Sequence, residues 1–133
     1  MRNVIGVPGL EQTVPKFSGK TSEFSLYKHE LIHFARNEDV DWVFTASGDS
    51  SRDVEVGNTE LSVRSLEARY TREVVRANIR VRQMLAESLQ HKRDRDILFR
   101  IHSPGAVWRE LNNFYSPETS GAKLALILSL IHI

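Results

Sequence analysis

The chain has 133 residues, 41% of them hydrophobic and 26% charged, with a formal net charge of +1 and no cysteine. That length suits one domain, and the balance is ordinary for a soluble globular protein. The lack of cysteine excludes disulfides, thiolate zinc sites and cysteine nucleophiles, and a net charge this small argues neither for nor against a nucleic-acid partner.

Residues 1–20 carry Gly6, Pro8-Gly9, Pro15 and Gly19, and read as an extended arm, a loop or short strand, leading into the domain. The first residues lack the long apolar core of a signal peptide, so a cytosolic or nuclear protein is the default expectation. Thr21 or Ser22 can cap a first helix. Its buried face would be Phe24, Tyr27, Leu31, Phe34 and Ala35, spaced at the helical period. A short apolar turn follows at Val40, Trp42, Val43 and Phe44. Residues 46–59 are rich in Ser, Gly and Asp and read as a solvent loop, not a domain boundary, because neither side alone could form a core.

Residues 60–90 predict a long helix with room for one break. Val63, Leu66, Tyr70, Val74, Ala77, Val81, Met84 and Leu85 fall on one face of it. Gln90 to Asp96 is a charged stretch, with a short helix or turn from Asp96 to Ile101. Ser103 then supplies an N-cap and Pro104 the first helical position. Val107, Trp108, Leu111, Phe114 and Tyr115 form the apolar face of this helix. Ser116-Pro117 repeats the cap-plus-proline signal.

From Lys123 onward, Leu124, Ile127, Leu128 and Ile131 make one stripe, and Leu126 and Leu130 oppose it. A helix apolar all round must be buried on both sides. The ten residues from Leu124 to Ile133 are too few to span a bilayer, which needs roughly 20. The run stops abruptly, so further turns and a partner surface are expected outside the chain. Five or six helices without alternating strand patterns predict an all-α, compact helical bundle over residues 21–133, preceded by the arm.

The sharpest chemical motif is His29-Glu30-Leu31-Ile32-His33, an HExxH. Two histidines four apart on a helix can chelate zinc, with the glutamate as general base. Against a zinc hydrolase, the two histidines lie opposite the Phe24–Phe34 stripe, and Arg36 follows one turn later. No third ligand is marked, and too little chain precedes the motif for a substrate-binding sheet. A solvated surface is the simpler reading. Arg69, Arg72, Arg76 and Arg80 share another face and could contact phosphates. Glu73 partly neutralises them and no aromatic residues interleave, which favours a plain solvated face over nucleic-acid contact. Trp42 and Trp108 read as core anchors among aliphatic neighbours. No glycine-rich phosphate loop, nucleophile elbow or triad spacing occurs.

Three blocks together resemble the Gag capsid region of copia-type LTR retrotransposons. The first is Phe17-Ser18-Gly19 with the helix around Tyr27, ending near Trp42-Val43. The second is the segment from Met84 through Ala86 to Leu89. The third is Ala106-Val107-Trp108 with Leu111 and Phe114-Tyr115, followed by the leucine-rich run from Leu124 to Leu130. Tyr27 stands where the family commonly has tryptophan. The chain stops before any Cys-x2-Cys-x4-His-x4-Cys zinc knuckle. The resemblance implies a capsid-like helical fold with Phe17, Gly19, Tyr27, Trp42, Trp108, Leu111 and Tyr115 as packing positions. It implies a structural protein, not an enzyme, that self-associates into a particle enclosing RNA, without cofactor, membrane or small-molecule substrate.

Overall fold

The computed structural model describes residues 13–115, and within them every regular element is helical. The chain is all-α, as its periodicity predicts. The described residues form five α-helices, α1 (Phe24–Asn37), α2 (Val63–Arg69), α3 (Arg72–Ser88), α4 (Lys92–Arg100) and α5 (Pro104–Tyr115), with one 3-10 turn leading into α1 (Thr21–Glu23) and another between α1 and α2 (Asp41–Thr45). The Ser116-Pro117 signal, the apolar run from Leu124 and the first twelve residues of the arm lie outside the described residues.

The described end of the arm, residues 13–20, packs into the domain. Val14 and Phe17 are buried, and Phe17 forms an isolated parallel bridge with Leu89. Its N–H donates to the Ser88 carbonyl (2.8 Å), and its own carbonyl accepts from Gln90 N–H (3.1 Å). A backbone with no helix or sheet of its own thereby satisfies its polar groups at the C-terminus of α3, where the last carbonyls lack helical partners.

α1 buries the five residues that its periodicity marks, Phe24, Tyr27, Leu31, Phe34 and Ala35. Its entry differs from expectation. Neither Thr21 nor Ser22 caps it; they form the preceding 3-10 turn, and no side chain caps α1. α1 ends in a Schellman-type arrangement. Asp39 takes a positive φ of 61°, and Val40 N–H reaches back to the Ala35 carbonyl (3.0 Å). Asp is one of the few residues other than glycine that tolerate this conformation. The reversal drops Val40, Val43 and Phe44 into the core.

The long helix expected over 60–90 is two helices. Tyr70 is extended, with φ −129° and ψ 163°. Thr71 caps α3 through its hydroxyl, which accepts from Val74 N–H (3.3 Å). The break resets the helical phase, so a single wheel drawn through both halves misplaces residues. Val63 is 49% exposed, and Val75, not Val74, is fully buried. α4 begins at Lys92, four residues earlier than expected. His91 is its N-cap, with Nδ1 accepting from Arg93 N–H (3.1 Å). On α5 the Ser103 cap holds, accepting from Ala106 N–H (3.3 Å), but Phe114 is exposed.

Two apolar clusters result. The larger joins the arm, α1, the Asp41–Thr45 turn, α3, α4 and α5. The smaller is Val54, Leu66 and Val75, with Val56, Leu61, Tyr70, Val74 and Ile79 around it. The Ser/Gly/Asp-rich stretch is therefore not wholly a solvent loop, because Val54 at its centre is fully buried.

Candidate functional site

Five of the seven residues marked by the resemblance, Phe17, Tyr27, Trp108, Leu111 and Tyr115, are buried in one core, and Trp42 packs against it partly buried. Phe17 stacks on Tyr27 (centroids 4.8 Å apart) and meets Tyr115 edge-on (5.0 Å). Phe24 stacks on Tyr115 (4.9 Å), and Trp108 lies 6.0 Å from Phe24 and 6.1 Å from Tyr27. Leu111 is fully buried in the same cluster. Such aromatic pairs add about 0.5–1.5 kcal/mol each beyond the area they bury. Gly19 stands at its edge with φ +97°, and a Cβ there would come within 2.8 Å of the His91 side chain. Glycine is required at this point twice over, by conformation and by space.

Trp42 is not the core anchor its neighbours suggested. It is partly buried, with the Arg52 guanidinium 4.2 Å above its ring, and it stands between two surface grooves. It belongs to the short 3-10 turn, where the tighter winding carries Val43 and Phe44 inward and leaves Trp42 at the rim.

Beneath the aromatic cluster lies a polar one. Asp94 is completely buried, and its Oδ1 accepts from the Tyr115 hydroxyl (2.6 Å). Arg93 donates to the Tyr115 hydroxyl and to the Gly19 carbonyl (3.2 Å), with its Nε 3.7 Å from Asp94 Oδ1. Among the described residues, Asp94 Oδ2 has no hydrogen-bond partner. Across the core, the Tyr27 hydroxyl is 2.6 Å from Ser88 Oγ. Burial, with the bond to Asp94 added, pushes the Tyr115 phenol up to about 12, Arg93 opposing. Burial also pushes the Tyr27 phenol far above its ordinary value, with Ser88 opposing and the charge of Asp94 adding. The bond to Tyr115 is the main cause that raises Arg93. These are protons held in place. A phenol that keeps its proton at neutral pH and already donates to a carboxylate is a tie between α4 and α5, not a nucleophile.

Asn78, Arg82 and Asp94 carry no motif and escape sequence reasoning, while Ser88 lies within the Met84–Leu89 block without its role being marked. Asn78 is fully buried. It accepts from Val54 N–H (3.3 Å) and donates to the Arg52 and Val74 carbonyls (3.0 and 2.9 Å). Its position in the buried phase of α3 is the one signal that could have found it. Arg82 donates to the Leu98 carbonyl (2.8 Å) and towards those of Ile101 and His102, closing the C-terminus of α4. Desolvation lowers its pKa.

The other candidates lie apart on the surface. His29, Glu30 and His33 are all exposed and line a groove of about 420 Å³ with Thr13, Pro15 and Phe34. Among the described residues no three His, Cys, Asp or Glu side chains are gathered to hold a metal ion. The arginine stripe is split by the Tyr70–Thr71 break. Arg69 is on α2; Arg72, Arg76 and Arg80 are on α3. Arg80 is held by Glu38 in a two-pronged pair of 2.7 and 2.8 Å, which raises its pKa. Arg72 is 4.0 Å from Glu67. Arg72 and Arg76 border a groove of about 630 Å³ with Glu38, Asp39, Glu73 and Trp42. A third groove, about 590 Å³, runs between α1 and α5 over the 3-10 turn. Ile32, Trp42, Phe44 and Trp108 form its apolar lining, with Lys28, Arg36 and Arg109 at its edges. Among the described residues no helix is long and apolar enough to cross a membrane.

Comparison with protein families, with characterised proteins and with solved structures returns no match.

Proposed function

We propose that the chain is a structural, Gag-like capsid module of the copia type that acts in the cytoplasm by associating with itself into a particle enclosing RNA. One observation carries this reading. The residues that bear the resemblance are scattered from Phe17 to Tyr115 in the sequence, yet Phe17, Tyr27, Trp108, Leu111 and Tyr115 pack into one core, with Gly19 at its edge. Positions shared for packing reasons are expected to meet in space, as these do. The polar groups within that core are committed to holding helices together, which suits a protein that works through packed surfaces.

Electron microscopy of the purified full chain with RNA tests the reading. Closed particles that shield the RNA from nuclease are expected; dispersed protein with fully digested RNA contradicts it.

Contact with RNA is a subordinate part of the same reading. Arg69, Arg72 and Arg76 remain exposed, while Arg80 is engaged by Glu38. About three phosphate contacts correspond to a salt slope near −2 to −3. Replacing Arg72 and Arg76 together should flatten that slope by roughly two thirds.

A further inference from the structure

Among the described residues, four large apolar side chains are notably exposed: Leu26 (62%), Val63 (49%), Phe99 (65%) and Phe114 (48%). Their surroundings differ. Phe114 lies under the Arg93 guanidinium, 4.8 Å from its ring. Phe99 is on a helix rich in cations, with Arg95 and Arg100 beside it. Val63 has Arg64 next to it, and the acid one turn on, Glu67, faces Arg72. Leu26 alone projects between two acids without a neighbouring cation on its face. Glu23, the last residue of the 3-10 turn that leads into α1, is three residues before it, and Glu30 on α1 is four after, so the two acids flank Leu26 at the entrance and first turns of the helix.

The groove between α1 and α5 has the opposite character. Its floor includes Ile32 and Trp42, and Lys28, Arg36 and Arg109 stand at its edge. The one acid there, Asp41, is paired with Arg36 (3.3 Å), so the rim keeps a positive excess. Knob and groove share a helix but not a face. At about 100° per residue, Leu26 and Ile32 are about 120° apart around α1.

The geometry points to a head-to-tail interface between copies of this chain, in which Leu26, flanked by Glu23 and Glu30, enters the Ile32–Trp42 groove of the next copy against Lys28 and Arg109. Charge complementarity selects a second copy as the occupant. Because the two surfaces differ and point in different directions, the contact is heterologous and generates a ring or an extending chain, not a two-fold dimer. This rests on the self-association proposed above and names the surfaces that carry it.

The test uses the full chain at pH 8. Two variants are made: Leu26→Lys, with its groove intact, and Lys28→Glu/Arg109→Glu, with its knob intact. Each alone should weaken association by about tenfold or more and sediment as monomer where the native chain forms oligomers. Mixed in equal amounts, they should form one discrete dimer that does not extend, since each supplies the half that the other lacks. Val63→Lys is the control and should associate like the native chain.

If the native chain associates but both variants associate equally well, or their mixture stays monomeric, the interface is wrong while self-association stands. If the native chain is monomeric throughout, both fall. The substituted residues are exposed, and circular dichroism checks their helix content. Should either variant unfold, Glu30→Lys and Arg109→Glu alone replace the pair, and the same mixing result decides.

Discussion

The two apolar clusters of this domain are built on different principles. The large one is aromatic and draws on the arm and four helices, with ring against ring and a buried Tyr115–Asp94–Arg93 tie beneath. The small one is aliphatic, three buried side chains under a long loop, and depends on Asn78 to bind the backbone that covers it. The first would lose shape if a ring were removed. The second would lose its lid if one amide were removed. Apolar area alone organises neither; each needs a polar group placed where water cannot replace it.

The comparison can be broken at either end. Phe17→Ala should have the largest effect, about 3–5 kcal/mol, because it leaves a ring-sized void and frees the arm from Tyr27 and Tyr115. Chemical denaturation should show a strongly lowered midpoint for the whole domain. Asn78→Leu should cost about 2–3 kcal/mol, since Val54 N–H and the Arg52 carbonyl lose their partner. Hydrogen exchange should then be fastest around residues 50–56, while protection at Phe17 and Leu111 holds. Gly19→Ala follows at about 1–3 kcal/mol, from a strained φ and the His91 contact; thermal melting checks it.

The smallest effect near neutrality is alkaline. Tyr27 and Tyr115 both have folded-state values above the unfolded value of about 10. Unfolded chains therefore release these protons first as pH rises. The contribution to stability is complete below pH 10 and is lost as pH climbs through about 12. Tm should be flat from pH 7 to 9.5 on this account and fall beyond it, and Tyr27→Phe should make the fall shallower.

The same contrast explains what can be read from the sequence. α1 and α5 show their buried faces plainly, because a continuous helix against a core leaves a regular stripe, and Ser103-Pro104 marks the start of α5. The region from Ala46 to Tyr70 does not. Its order comes from a side chain 24 residues beyond Val54, and nothing local in that stretch records that Asn78 will pin it. The helix break at Tyr70–Thr71 shifts the phase of α3 and hides Val75, and Asp94 sits in a run of charges that resembles any solvated helix end. The aromatic packing positions are legible one by one, apart from Trp42, a rim residue, and Phe114, which is exposed. The grooves were not, because a groove is made by elements distant in sequence.

The proposed function requires this protein to pack against copies of itself. Sedimentation velocity of the full chain over a wide concentration range tests it most directly. Mass should rise with concentration beyond a dimer, with helix content unchanged. A folded monomer of constant mass at every concentration would contradict it.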